Sequence, residues 1–518
     1  MDKKTHFPEG VLEKEIHEDK LGIQNIIFGK RLRPAQTIYE YLIEFLIVAK
    51  APKVINDKSF QEMFPVSGSF DNIIEYNPKA YMGLKRFVFF ENSRIDTKST
   101  IDKEAYNECR NILKGNIEIV NNMSAESVLF VLQNILYGFS VENTGRSWFD
   151  KNLMPVSANV LFPESLGRRA LRERVCKDYH DAPDDNEKVQ KIDTGFDFNS
   201  YTYMCRGGEI YYLHLLHALN SDRNRDKIAY IESGIDRMLN SMTGMTQIGD
   251  FINNTWEEKM GINPLDKPVS KKLGAIPTDY EDRDDHTVSE LVNFLDCNIQ
   301  PMEKIEVFTY GLILQLLRMM HLTAAKSTNN GNGAWIMDMS SKPRADSTEI
   351  KKLAIRGFEL GEETIKQYIY AGIDAYYSDL PQDKKNDQFK HAEDDSYKVF
   401  RKLGKDIGII IPLKGTGMRY TLSETVIKFL VMALVPAGKK VTFEQLLDMM
   451  YEHFGIVISQ KHYHASRECG CFRDCAENAS FLNANTADFA QKLKDCGFLR
   501  DLSDATAIVE NPYCKEEN

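Results

Sequence analysis

The 518-residue chain is short of the features that define several large protein classes. It has no uninterrupted run of about 18 apolar residues, the length of a membrane-spanning helix. Its two most apolar stretches, 38–48 and 307–320, are broken by Glu40 and Glu44 and by Gln315 and Arg318. Positive charge is in deficit. Lys plus Arg total 65 against 76 Asp plus Glu, a net of −11, which excludes a uniformly basic nucleic-acid coat and confines any polyanion contact to a local patch. Met1–His6 leads into Pro8 and Glu9 rather than into an apolar segment, so no secretory leader is expected. The nine cysteines, an odd number and scattered, fit a reducing cytoplasm rather than a disulfide scaffold. Reaction-naming motifs are missing as well, including nucleophile elbows and kinase signatures. Asn329–Gly333 holds a Gly-x-Gly, but without the strand before it or the Lys-Ser/Thr after it that a nucleotide loop requires, and it reads as a flexible connection.

What remains is an ordinary globular composition, 42% apolar and 27% charged, in a chain long enough for about three or four domains. The dominant pattern is helical. Pro34 stands in a first-turn position ahead of Ile38, Tyr41, Leu42, Phe45 and Leu46, which share one face with Glu40 and Glu44 opposite. Ser124 caps a helix whose Val128, Val131, Leu132, Ile135 and Leu136 are expected to face a core, ending near Gly138. Thr287 with Glu290 forms a capping-box pattern, and after Pro301 comes an apolar helix, 305–321, expected to be buried all round. Strand signals are few: 86–90, rich in aromatics, and 409–411. Polar or Pro/Gly-rich stretches at 178–191, 264–285 and 327–347 mark boundaries. The expected fold is mainly α and multi-domain: an amino-terminal helical domain (1–190), a central helical domain (191–330), a helical, charged connecting region (345–410) and a carboxy-terminal domain (417–518).

That last domain has the most informative order. Thr421 with Glu424 and Thr442 with Gln445 form capping boxes for two helices around an extended Lys440-Val441. Asn485 or Thr486 starts a third helix, and 498–502 and 506–509 flank the turn pair Ser503-Asp504. Helix, strand, helix, helix and hairpin is the order of a winged helix-turn-helix. Such domains serve DNA binding and protein contacts alike. From Gly417 to Asn518 there are 11 Lys plus Arg against 14 Asp plus Glu, a net of −3, so a protein-contact role is favoured.

Several clusters carry ligand chemistry. His462, His464, Cys469, Cys471 and Cys475 lie within 14 residues and are zinc-ligand types, although one residue between Cys469 and Cys471 is short of the usual knuckle spacing, and reduced thiols in a loop is the favoured reading. Zinc is accordingly the one cofactor considered. His214 and His217 share a helical face near Glu209 without a His-Glu-x-x-His pattern. Asp250, Glu257 and Lys259 loosely resemble a nuclease set but lack the strand pattern that would align them. Arg168, Arg169, Arg172 and Arg174, with Lys492 and Lys494 on the third helix of the carboxy-terminal domain, are the candidate contacts for nucleic acid or an acidic partner.

The segments 206–215 (RGGEIYYLHL) and 497–505 (GFLRDLSDA) resemble accessory proteins of bacterial multi-gene phage-defence or restriction loci. That resemblance implies a bacterial origin and partners encoded nearby. With no catalytic constellation and many capped amphipathic helices, the expected function is a non-enzymatic cytoplasmic adaptor that joins partner subunits, on or near DNA and away from membranes. A metal-dependent nuclease or hydrolase using Glu209, His214 and His217, and a winged-helix DNA-binding regulator, are the alternatives.

Overall fold

The structure is a computed structural model that describes residues 23–30, 32, 36–70, 73–79, 81–93, 100–118, 123–141, 146–163, 206–260, 271–276, 281–340, 345–394, 396–473, 475–503 and 506–515. It is mainly helical, with short strands at the edges of the helical body.

The amino-terminal part comprises helices α1 (Ile23–Phe28) and α2 (Ile38–Lys50), strands β1 (Lys53–Ile55), β2 (Lys58–Phe60) and β3 (Glu75–Tyr76), helices α3 (Met82–Phe89), α4 (Thr100–Gly115) and α5 (Ala125–Tyr137), and the strand pair β4 (Ser140–Val141) and β5 (Asn152–Leu153). The middle comprises α6 (Gly207–Asn220), α7 (Ile228–Asn240), α8 (Thr243–Met260), β6 (Lys271–Lys272), α9 (Glu281–Asp296), α10 (Pro301–Ser327) and β7 (Trp335–Ile336). Next come α11 (Ala345–Tyr376), α12 (Gln382–Asp394), α13 (Tyr397–Asp406), β8 (Ile410–Ile411) and β9 (Arg419–Tyr420). The chain ends with α14 (Glu424–Leu434), β10 (Lys440–Thr442), α15 (Phe443–Phe454), β11 (Ile456–Val457), α16 (Gln460–Glu468), α17 (Leu482–Asp495), β12 (Leu499–Ser503) and β13 (Thr506–Glu510).

Helix α10 organises the core. Pro301 occupies its first turn, where the missing N–H costs no hydrogen bond. By composition it is long enough to cross a membrane, yet 94% of its apolar window is buried inside the protein. It packs against α2, α6, α11, α13 and α14, and one apolar cluster runs without a break from Ile23 to Val509.

Helix α2 starts at a capping box in which Thr37 and Glu40 hold each other. Glu40 and Glu44, expected on its solvent side, are both buried. Glu40 pairs with Arg146 and accepts from Asn152, and Glu44 accepts the Gly208 amide at 3.2 Å. Burial of carboxylates is tolerated only with such donors. Other expectations shift for similar reasons. Residues 86–90, read as a strand, belong to α3 and its C-terminal cap. The N-cap of α14 is Ser423, which accepts from Val426 N, rather than Thr421. Thr287 and Glu290 sit inside α9 rather than at its start, because α9 begins at Glu281 within the stretch taken as a connection. Asn485 lies inside α17, donating to Met337 O and Ile458 O. The caps at Ser124 and at Thr442 with Gln445, and the strand at 410–411, are as expected.

In the carboxy-terminal part, β10 pairs antiparallel with β13 and β13 with β12, giving the strand order β10-β13-β12 behind α14, α15 and α17. Strand β11, in the segment between α15 and α17, pairs in parallel with β7 of the middle part (Ile456 with Trp335, Val457 with Ile336). This fastens the segment to the helical body.

Helix α2 packs closely on α6, and Gly208 permits it: a β-carbon there would overlap the backbone of Tyr41 and Phe45. Gly208→Ala is expected to cost about 1–3 kcal/mol or more in urea unfolding by overpacking. Gly244→Ala, at a helical position with nothing within 4 Å, is expected to leave stability unchanged or raise it by up to about 1 kcal/mol.

Candidate functional site

Four histidines gather along α9. On α6, His214 and His217 lie three residues apart and present one face. That face meets Asp284 of α9, whose two carboxylate oxygens take His217 Nδ1 at 2.7 Å and His214 Nδ1 at 3.2 Å. His214 Nε2 lies 3.1 Å from Thr287 Oγ1, one turn along α9. His214 is fully buried, whereas His217 reaches solvent. Burial, assisted by Arg283 and His217 against the pull of Asp284, brings His214 down to about 4. Its imidazole is therefore neutral near pH 7.

The adjoining face of α9 holds Arg283 and Glu290, seven residues and two turns apart, in a two-pronged ion pair with N···O distances of 3.1 and 3.0 Å. Gln315 of α10 binds both partners, and His453 Nδ1 approaches Glu290 at 2.7 Å. The rings of His453 and His286 lie against each other, tilted by 42°, with centroids 3.9 Å apart. Burial opposes ionisation of Glu290, but Arg283 and His453 prevail and hold its carboxyl below the usual range.

This arrangement orients an imidazole, His217, by a carboxylate, which is two parts of a general-base set. It supplies no metal cage: among the described residues no group of three or more His, Cys, Asp and Glu is placed to hold an ion. Glu209 belongs to a different cluster. It takes Lys30 at 2.9 Å and the Tyr76 hydroxyl at 2.7 Å. Burial would raise its pKa, but Lys30 and Arg206 outweigh burial and lower it. Asp250 and Glu257 of α8 likewise go to separate partners, Asn159 at 2.6 Å and Lys79 at 3.4 Å.

The five zinc-type residues are also dispersed. His462 is buried with both ring nitrogens engaged, by Ser459 Oγ and Asp448 Oδ1, each at 2.8 Å. His464 is exposed beside Gln460. Cys469 is exposed, Cys475 is half-buried, and Cys471 is buried, donating to Asn332 Oδ1 at 3.1 Å. Of the basic candidates, Arg168, Arg169, Arg172 and Arg174 lie outside the described residues. Lys492 is half-buried towards Asp338 and Asp488, and burial lowers its pKa. Lys494 is exposed.

Two surfaces were not apparent in the sequence. Helix α17 lies against α11, and its Asn485, Asp488, Phe489 and Leu493 are buried. Helix α5 turns inward with Leu129, Gln133 and Leu136, Gln133 donating to Phe87 O. Phe130, Val131 and Ile135 are left 63%, 45% and 43% exposed, with Met123 before the helix at 47%. The expectation that Val131 and Ile135 face a core is thereby corrected: α5 is apolar on two sides, and among the described residues only one is covered.

No protein-family model matches the chain, and no curated protein matches it.

The buried histidines make stability fall with acid. His214 is held near 4 and His321, buried in α10, near 3, both below the ordinary histidine value of about 6.5. Between about pH 6.5 and 4 the unfolded chain binds protons that the native state refuses. Each histidine should then remove up to about 1.4 kcal/mol per pH unit as pH drops through that window, with no contribution above it. Urea unfolding at pH 7, 6 and 5 should show this slope, and His214→Asn should reduce it. Arg283→Met should cost about 3–5 kcal/mol, since it leaves Glu290 buried without its cation.

Proposed function

We propose that the chain is a non-catalytic adaptor subunit that joins partner proteins in a complex acting on or near DNA. The observation that carries this reading is the apolar face of α5. Three large side chains, Phe130, Val131 and Ile135, stand in solvent within two turns, and Met123, just before the helix, is exposed as well. Large apolar side chains grouped in water on one helix support a protein contact there, and aromatic residues such as Phe are enriched in interfaces. The partner it fits is a protein presenting an apolar helix or groove.

The carboxy-terminal part is read as a winged helix used for protein contact. Support comes from its order of elements and its β10-β13-β12 strand order. In such a domain α17 would be the helix that enters a DNA groove. Its buried residues instead pack within the chain, and its exposed residues include Gln491, Lys494 and Asp495, which give no net excess of phosphate-neutralising charge. The hydrolase alternative has less support, since Glu209 is tied to Lys30 and Tyr76 while His214 and His217 share Asp284. The resemblance of 206–215 and 497–505 to accessory proteins of bacterial defence loci agrees with an adaptor in a cytoplasmic, multi-gene setting.

The test is affinity purification of the tagged full chain from its native host, with and without nuclease. A stoichiometric protein partner should survive nuclease. Phe130→Asp should weaken its binding about 30-fold or more, the effect of losing about 2 kcal/mol at a hot spot, while the melting temperature stays unchanged. A partner-free chain that binds DNA with steep salt dependence, lost in Lys494→Glu, would replace the adaptor with a DNA-binding regulator. Metal-dependent turnover of DNA or RNA abolished by His217→Ala would replace it with a hydrolase.

A further inference from the structure

A cavity of about 240 Å³ lies where the middle and carboxy-terminal parts meet. It is bounded by the end of α10, the loop before β7, the middle of α11 and the turn after α16, contributing among others His321, Gly333, Gly361, Thr364, Cys471 and Arg473. The volume is several times that of one ordered water and below the roughly 300 Å³ at which pockets for drug-sized ligands begin. Its occupant is therefore small.

The polar groups around it are mostly donors. His321 is 2% exposed, and its Nδ1 accepts from the Trp335 indole N–H. Trp335 has no other hydrogen to give from its ring, so Nδ1 is the unprotonated nitrogen and the proton of the neutral imidazole sits on Nε2. That N–H has no protein acceptor among the described residues and faces the wall at Gly361, where an added β-carbon would lie 3.3 Å from Nε2. Behind Gly333, the buried guanidinium of Arg318 donates to the carbonyls of Gly333 and Asn332 and has no carboxylate partner among the described residues. Burial lowers its pKa to about 9, which still leaves it charged at neutral pH. At the rim, the exposed guanidinium of Arg473 forms no ion pair with a described residue and reaches over Gly470. The opposing charge is Glu363, also at the rim and exposed, with Gln367 beside it. Thr364 is already engaged, accepting from Asn330 and donating to Leu360 O, and the Cys471 thiol donates to Asn332.

One cation, Arg473, and one carboxylate, Glu363, stand at the rim; the uncommitted N–H of His321 on the inner wall, with the buried Arg318 guanidinium behind the lining at Gly333, tips the interior towards an acceptor-rich anion. We propose that this cavity binds a small phosphate group, either as inorganic phosphate or as the head of a small phosphomonoester, between His321 within and Arg473 at the rim. Because residues of both α11 and the turn after α16 line it, bound phosphate would brace the carboxy-terminal part against the helical body.

The test is titration of the full chain with inorganic phosphate and, separately, glycerol 3-phosphate, at fixed ionic strength against chloride. The readouts are calorimetry and the fluorescence of Trp335, one of three tryptophans. Saturable binding of either probe is expected, with the fluorescence change lost in Trp335→Phe. Arg473→Ala, a surface change that should fold normally, is expected to weaken binding at least about 10-fold. Gly361→Ala, whose methyl would press on the imidazole, should abolish it, while Lys352→Ala on the exposed side of α11 should leave it intact. Binding of inorganic phosphate assigns the free ion as a sufficient ligand; binding of glycerol 3-phosphate alone assigns a phosphomonoester. No saturable response to either up to about 10 mM, or binding unaffected by both Arg473→Ala and Gly361→Ala, overturns the proposal.

Discussion

The rest of the structure depends on burying α10 on all sides. A helix that is apolar nearly all round must be surrounded, and Pro301–Ser327 is enclosed by α2, α6, α11, α13 and α14. It also carries polar residues into the interior, and each dictates something nearby. Lys304 donates to Leu295 O at the end of α9. Gln315 completes the Arg283–Glu290 pair. Arg318 fixes the loop carbonyls of Asn332 and Gly333, and His321 takes the Trp335 indole. Unmet, each group would cost roughly 1–3 kcal/mol or more. Met in this way, they lock the middle and carboxy-terminal parts in register, and β7 is delivered to β11.

The same requirement explains why clusters that look like chemistry in the sequence are bound up in the fold. His214, Glu209 and His462 each serve a partner on another element: Asp284 and Thr287, Lys30 and Tyr76, and Asp448, His462 also meeting Ser459, the N-cap of its own helix. A buried polar group with satisfied partners rigidifies a core. The surface of α5 is different in kind, because there apolar area is left in water.

Much of the helical fold was legible in the sequence, and the reasons are local. A capping residue and its third neighbour act within one turn, so Ser124 and the Thr442/Gln445 box could be read directly. The hairpin 499–510 follows from a turn pair between two short apolar runs. What could not be read depends on partners distant in the chain. Glu40 and Glu44 are buried because Arg146, more than 100 residues away, and Gly208, 164 residues away, supply donors. Residues 86–90 have strand-like composition, but helix packing overrides propensity. For α5 the periodicity gives the helix but sends Val131 and Ile135 to the core with Leu136, and only the packing shows that Leu129, Gln133 and Leu136 are the covered side. Cys471 was visible as a thiol, whereas the cavity it lines is assembled from separate segments. His321 gave no signal of its own because its meaning comes from Trp335.

As proposed, this chain works by protein contact through α5 rather than by reading DNA through α17. Hydrogen exchange of the full chain, free and in its native complex, tests it most directly. New protection is expected to concentrate in Ala125–Tyr137, with α17 and the β12–β13 hairpin unchanged on addition of DNA. Protection of α17 and the hairpin by DNA, with α5 exchanging as in the free chain, would contradict it.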